Sequence, residues 1–301
     1  MTATQNPSAN PAPEVAVSIT VDGNDVTVPK GASVLDACTA AGVDTPTLCY
    51  AENLTPVNAC RVCVVELDGS RTLIPSCSRP AEDAMVVHTD SERVRHSRKM
   101  VLEFLGSGVD LSQADELNAW GEHYGADADR YGSPEVPAAK IDEDVKIQDD
   151  LYIRDYDKCV LCYKCVEACG DDAQHTFAIA VSGRGFDARI STEFDVTLPE
   201  SACVYCGNCV DVCPTNALQF KTEFDLRQLA AWKPDQQTIT TTVCSYCGVG
   251  CNLEMHVQDN TIVKVTSPHD HDVTNGHLCI KGRFGWQYVQ PTITTGPSSE
   301  S

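Results

Sequence analysis

The chain has 301 residues, a formal net charge of -21 and 17 cysteines. An acidic balance of that size disfavours nucleic acid and anionic membrane surfaces as partners, and no apolar run reaches the ~20 residues that a membrane-spanning helix needs. The opening MTATQNPSANPAPE has neither a basic nor an apolar export segment, so a cytoplasmic protein is expected, in a compartment that keeps thiols reduced.

Residues 1–14, rich in Pro, Asn, Ser and Ala, read as a disordered tail, and order is expected from Val15. Val17, Ile19 and Val21 alternate with polar residues, turn residues surround Gly23, and Val26 and Val28 resume the alternation, which predicts a β-hairpin. Ser33, with Asp36 three positions on, caps a helix that presents Val34, Leu35, Cys38 and Ala41 on one face and ends at Gly42. Cys38 is thereby expected in the core as a small hydrophobe. Cys49, Cys60 and Cys63 follow, then a second hairpin around Asp68 and Gly69, with Cys77 on its returning strand. Beyond residue 92 the character changes. Val94, Met100, Val101, Phe104 and Leu105 share a helical face, and Asp115 to Tyr124 forms another amphipathic helix with Leu117, Trp120 and Tyr124 inward. A Pro-, Ala- and acid-rich connector fills 134–150, and no cysteine lies between Cys77 and Cys159. Further on, residues 177–180 and the turn at Gly183 and Gly185 suggest a short hairpin. A second hairpin is expected where Leu253, Met255 and Val257 alternate, Asp259 and Asn260 turn, and Ile262 and Val265 return.

Sixteen of the cysteines fall into four groups of four. Thiolate is a soft ligand suited to iron-sulfur clusters or to structural zinc, so spacing must separate the two. The middle groups, Cys159, Cys162, Cys165, Cys169 and Cys203, Cys206, Cys209, Cys213, both read C-x2-C-x2-C-x3-C, and Pro214 follows the second. That is the bacterial ferredoxin run, in which the fourth cysteine of each run ligates the other cluster. Crossed ligation pairs Cys159, Cys162, Cys165 and Cys213 on one [4Fe-4S] cluster, and Cys169, Cys203, Cys206 and Cys209 on a second. Zinc sites more often pair two C-x2-C knuckles, and a zinc-bound scaffold without redox function stands as the contrasting reading.

The flanking groups resemble known modules. The ββα opening with Cys49, Cys60, Cys63 and Cys77, spaced x10, x2 and x13, resembles the β-grasp [2Fe-2S] ferredoxin domain of complex I type. The run Cys244, Cys247, Cys251 and Cys279, or C-x2-C-x3-C-x27-C, resembles the small [4Fe-4S] domain that opens formate dehydrogenases and related molybdopterin oxidoreductases. Together with the ferredoxin motif from Cys203 to Leu218, these runs resemble the iron-sulfur N-terminal region of NAD-dependent formate dehydrogenase alpha subunits. That region is related to the small diaphorase subunit of NAD-reducing hydrogenases and to the complex I large iron-sulfur subunit. Many members hold a further [4Fe-4S] cluster with one His and three Cys. Here Leu105 to Asp110 stands where those ligands would be, and His96 and His123 have no cysteine companions. Both histidines read as ordinary surface or packed residues, since a single imidazole cannot hold a cluster, and the run His269, Asp270, His271, Asp272 reads as a surface turn.

The resemblance implies a modular α+β chain: a [2Fe-2S] domain at 15–92, a helical connector without the His-ligated cluster at 93–150, a two-cluster [4Fe-4S] ferredoxin-like domain at 151–222, a linker at 223–240, a β-rich [4Fe-4S] domain of molybdopterin oxidoreductase type at 241–290, and a tail at 291–301 with the composition of a chain end. It implies one [2Fe-2S] and three [4Fe-4S] clusters, with Lys281, just after the last ligand, as the electron exit toward a partner's pterin. No G-x-G-x-x-G follows a strand and no acid, base and nucleophile assemble, so substrate chemistry is expected on partners: a molybdopterin catalytic subunit and a flavin/NAD-binding subunit. The expected function is electron transfer in a formate dehydrogenase-type complex; a hydrogenase or a complex I-like NADH oxidoreductase is the alternative setting.

Overall fold

The computed structural model describes residues 16–133, 135–136 and 138–290, so Val15 and the tails expected at 1–14 and 291–301 lie outside the described residues. Two compact units divide the chain: Met1–Thr47 with Cys60–Val101, and Leu48–Ala59 with Leu102–Ser301.

In the first unit β1 (Ala16–Val21) and β2 (Asn24–Pro29) form the expected hairpin in antiparallel register, Val17 opposite Val28, around a turn in which Asp22 and Gly23 have φ of 49° and 84°. α1 (Val34–Ala40) follows with a complete capping box: Ser33 Oγ accepts from the Asp36 amide, and the Asp36 carboxylate accepts from the Ser33 amide. β3 (Val64–Leu67), β4 (Ile74–Pro75) and β5 (Val86–His88) complete a five-stranded mixed sheet in the order β2-β1-β5-β3-β4, with β5 parallel to β1. The second expected hairpin is β3 and β4, and Cys77 falls just beyond the returning strand. Val17, Ile19, Val21, Val65 and Val87 from the sheet meet Val34, Ala37 and Cys38 from α1. Each such side chain taken from water contributes about 2 kcal/mol. Cys38 is fully buried, and burial pushes its thiol up to about 11, so it acts as a core hydrophobe.

α2 (Glu92–Gly108) runs longer than its apolar pattern suggested. Its buried positions include Val94, Arg98, Leu102 and Glu103, whereas Phe104, expected on the inward face, is 54% exposed and stacks on Tyr131 with centroids 4.6 Å apart. The difference has a physical cause: Arg98 donates to the Val64 carbonyl, and Glu103 pairs with Arg130 at 2.7 Å, so charged residues occupy inward positions that apolar periodicity cannot register. The helix continues through Gly106, where a Cβ would stand 2.8 Å from that of Ala128.

In the second unit α3 (Asp115–Tyr124) buries Leu117 and Tyr124 and leaves Trp120 half-buried. β6 (Lys146–Ile147), at the end of the expected connector, pairs with β7 (Tyr152–Arg154), and β7 pairs with β10 (Leu218–Phe220). α4 (Lys164–Cys169), the hairpin of β8 (Ala180–Ser182) and β9 (Arg189–Ser191), and α5 (Asn208–Asp211) lie between β7 and β10 in sequence. The stretch 223–240, expected as a linker, carries most of α6 (Lys221–Gln228) and the start of β11 (Thr238–Val243). β11 adds an exposed edge to the expected hairpin of β12 (Asn252–Gln258) and β13 (Thr261–Thr266), and α7 (Ile280–Phe284) follows.

Ser33→Ala removes one half of the capping box and should cost about 1 kcal/mol in denaturant unfolding of the full chain. His256, half-buried on β12 beside the Lys264 ammonium, is held down from 6.5 to about 4, chiefly by burial. Because the unfolded chain binds this proton more tightly, the stability that His256 contributes is complete above 6.5 and is lost as the pH falls toward 4. His256→Gln should flatten that part of the stability-against-pH curve measured by urea unfolding.

Candidate iron-sulfur sites

Short loops with left-handed backbone present the cysteines. In the run from Cys159 to Cys165, Leu161 and Tyr163 have φ of 52° and 65°; in the run from Cys203 to Cys209, the matching Tyr205 and Gly207 have 57° and 74°. A non-glycine residue in this region costs on the order of 1 kcal/mol or more and persists only where the surroundings over-determine it. The repetition at equivalent places marks two copies of one loop. Each loop leads into a short helix, α4 with Cys165 and Cys169, and α5 with Cys209.

Cys159, Cys162, Cys165 and Cys213 line one cavity, whose other walls include Val160, Ile190, Ala217 and Leu218. The Cys209 thiol is driven well up by burial first and then by its neighbours Cys206, Cys169, Cys203 and Cys213, so the second run lies beside the first cavity's Cys213 as well as Cys169. Burial likewise raises Cys165 well above the ordinary thiol range and Cys159 to about 12. Donors point at several sulfurs. The amide of Leu218 reaches Cys213 Sγ at 3.4 Å, that of Ala178 reaches Cys169 Sγ at 3.3 Å, and that of Tyr205 reaches Cys203 Sγ at 3.4 Å. The Tyr152 hydroxyl lies 3.2 Å from Cys203 Sγ.

The C-terminal group is more open. Cys244 is buried and its amide donates to the Cys251 carbonyl at 2.8 Å, while Cys247 and Cys279 are exposed. After burial, the Cys251 thiol is raised by Cys244, Cys247 and Cys279, so these four sulfurs share one neighbourhood. Around them Tyr246, Val249 and Ile280 are exposed, as is Lys281. Of the first group, Cys60, Cys63 and Cys77 lie in the first unit, with the sulfurs of Cys63 and Cys77 3.3 Å apart. Cys49 lies on the segment Leu48–Ala59 of the second, where its sulfur accepts from the Ala59 amide at 3.4 Å. His96, His123, His269 and Asp270 are exposed or half-exposed, as expected of surface residues.

Among the described residues, no three His, Cys, Asp or Glu side chains converge as closely as a single bound metal ion requires. The donor sets have the chemistry for an iron-sulfur cluster: soft sulfur ligands, apolar walls and amides aimed at sulfur. Arg154 agrees with an anionic group in the first cavity. It is 1% exposed and its guanidinium lies 6.0 Å from the centroid of Tyr156, itself a wall of that cavity. Nη2 donates to Gln148 and the guanidinium also interacts with the Tyr156 hydroxyl, but among the described residues Nε and Nη1 are short of well-formed hydrogen bonds. A buried guanidinium left short of partners is costly, and a nearby negative group offsets that cost. Neither Arg154 nor the buried Arg283 described below is signalled by the residue pattern, because neither lies in a cysteine motif or on an apolar period.

Comparison with known proteins agrees with these modules. The 2Fe-2S iron-sulfur cluster binding domain family matches residues 14–92, the 4Fe-4S binding domain family matches 152–174 and 196–219, and the molybdopterin oxidoreductase Fe4S4 domain family matches 237–291. The NADPH-Fe(3+) oxidoreductase subunit alpha of Geobacter sulfurreducens is 34% identical over 287 residues, 91% of this chain and 31% of that protein. A putative formate dehydrogenase of Staphylococcus haemolyticus is 28% identical over 312 residues, covering 90% of this chain and 31% of its own length. The chain thus spans about a third of the length of these relatives. A chain in the crystal structure of NAD+-reducing [NiFe]-hydrogenase in the H2-reduced state aligns with a TM-score of 0.58 and 26% identity, over 68% of this chain and 87% of that one. The chain carries [2Fe-2S] and [4Fe-4S] binding domains and is homologous to parts of an NADH-quinone oxidoreductase chain, of a component of NADP-reducing hydrogenase and of putative formate dehydrogenases.

Proposed function

We propose that the chain carries electrons between a molybdopterin catalytic subunit and a flavin/NAD-binding subunit of a cytoplasmic formate dehydrogenase-type complex. The observation that carries this reading is the C-terminal module. A molybdopterin-type cluster domain matches residues 237–291, and there Cys247, Cys279 and Lys281 are exposed beside apolar Tyr246, Val249 and Ile280. That is the kind of surface on which a partner's pterin could approach a cluster edge, with Lys281 at the exit. No helix among the described residues is long and apolar enough to cross a membrane.

In this reading the chain is modular, with a β-grasp [2Fe-2S] domain at its start. Cys49, Cys60, Cys63 and Cys77 hold one [2Fe-2S] cluster. Three [4Fe-4S] clusters are held by Cys159, Cys162, Cys165 and Cys213, by Cys169, Cys203, Cys206 and Cys209, and by Cys244, Cys247, Cys251 and Cys279. Bound there, the clusters supply one-electron carriage. The chain's own residues space them, keep water from the buried sulfurs and direct amides at them. Electrons enter beside Lys281, cross the two-cluster module and leave near the [2Fe-2S] domain. The structural likeness to the hydrogenase chain favours the second reading, a hydrogenase-type complex with the same internal wire.

Anaerobic purification of the complex, with formate-dependent and hydrogen-dependent NAD reduction measured side by side, separates the two. Formate activity with molybdenum present supports the first reading, and hydrogen activity with nickel overturns it. Metal and sulfide analysis should give one [2Fe-2S] and three [4Fe-4S] clusters, and Cys206→Ser should abolish one [4Fe-4S] signal; zinc without acid-labile sulfide would return the scaffold reading. Tyr152→Phe removes the hydroxyl beside Cys203 Sγ. A donor to sulfur stabilises the more negative, reduced state, so this variant should move one [4Fe-4S] midpoint potential downward in a redox titration at unchanged iron content.

A further inference from the structure

The last helix of the C-terminal module is seated in the core of the module before it. Phe284, on α7, packs with Tyr152 and Phe220, each ring centroid 5.9 Å away. Beside it Arg283 is fully buried and all its nitrogens are used. Nη1 lies 3.1 Å from the Asp211 carboxylate and 3.2 Å from the Val265 carbonyl, Nη2 donates to Asn208 Oδ1 at 3.0 Å, and Nε donates to the Cys206 carbonyl at 3.4 Å. The Arg283 amide donates in turn to the Cys279 carbonyl at 3.0 Å, and Asn208 Oδ1 also accepts from the Leu278 amide at 3.0 Å. The seat is tight: Gly207 has φ of 74°, and a Cβ there would stand 3.0 Å from Arg283 Cγ and 3.1 Å from Phe284 Cζ.

We propose that Arg283 is the positioning residue of the junction between the Cys206 and Cys279 groups, locking α7 against the start of α5 and thereby setting the gap that an electron crosses between the two clusters. The proposal rests on the ligand sets given above. Electron transfer between two centres slows steeply with distance, so a rigid spacer between the Cys206 and Cys279 groups bears directly on its rate. The guanidinium suits the task because one planar group presents donors to α5, to β13 and to a ligand's own carbonyl, which a lysine ammonium cannot do in one plane. A chain of bonds and hydrogen bonds also joins the two ligand residues, from the Cys206 carbonyl through the Arg283 side chain and amide to the Cys279 carbonyl. Asp211 offsets the guanidinium charge, so the role is separation rather than a shift of potential.

The test uses the full chain with its clusters loaded. Arg283→Lys keeps the charge and loses the fork. Iron, sulfide and each midpoint potential should match the wild type, while the magnetic interaction between the two reduced [4Fe-4S] clusters, read by EPR, should be lost. An unchanged interaction in the fully loaded variant overturns the proposal. Should the variant not load, hydrogen exchange on the wild-type chain decides: amides of residues 280–284 should open together with those of β7 and β10, and independent, faster opening of α7 overturns the junction. Cys206→Ser and Cys279→Ser serve as controls on the ligand sets. If either leaves every [4Fe-4S] signal intact, the ligand assignment fails and takes this proposal with it; with both controls behaving as expected, an unchanged interaction in Arg283→Lys overturns the role of Arg283 alone.

Discussion

Burying thiols in quartets is the constraint on which the second unit depends. A sulfur taken from water into an apolar wall holds its proton more tightly, and several sulfurs together repel one another's negative charge, as at Cys165 and Cys209. Such a quartet becomes stable when a positively charged core takes the place of the protons. The secondary structure around it is correspondingly slight, with three-residue strands at β7 and β10 and helices of six and four residues at α4 and α5. The cysteines themselves belong to the hydrophobic core, so the groups that ligate are also the groups that pack. Modules of this size bury little surface, and in the proposed reading ligation supplies the rest.

The protein buries few charged side chains and holds them through specific contacts. Arg283 is buried with a full set of acceptors, and Glu103 with Arg130. Arg154 is buried with fewer partners, beside a wall of the first cavity. Where protein acceptors complete the shell, as at Arg283, the cation joins elements. An electron arriving at a cluster adds negative charge to a poorly solvated place, and fixed cations nearby ease that change.

Much of this was legible in the residues. The hairpins, the capped helix with Cys38 inward and the four cysteine groups could all be read from alternation, capping and spacing, because each of these is a local pattern. One cavity gathers Cys213 with Cys159, Cys162 and Cys165, residues that lie in two separate runs of the sequence. What spacing could not reveal is long-range. The inward face of α2 includes Arg98 and Glu103, whose partners lie far along the chain, so apolar periodicity misplaced Phe104. The stretch expected as a linker forms most of α6 and part of β11, since strand pairing with β12 overrides a polar composition. The docking of α7 through Arg283 and Phe284 depends on surfaces contributed by two modules, and no single motif carries it.

The cavity shared between the first three cysteines of one run and the last cysteine of the next has a consequence for biosynthesis. Cys159, Cys162 and Cys165 leave the ribosome well before Cys213, and Cys169 before the run that completes its own set. Neither quartet is whole until the second run has been made. During that interval neither run by itself supplies a whole set in the proposed pairing. On the crossed pairing proposed above, the Cys169 set can load only after translation through Cys209, and the Cys159 set only after translation through Cys213.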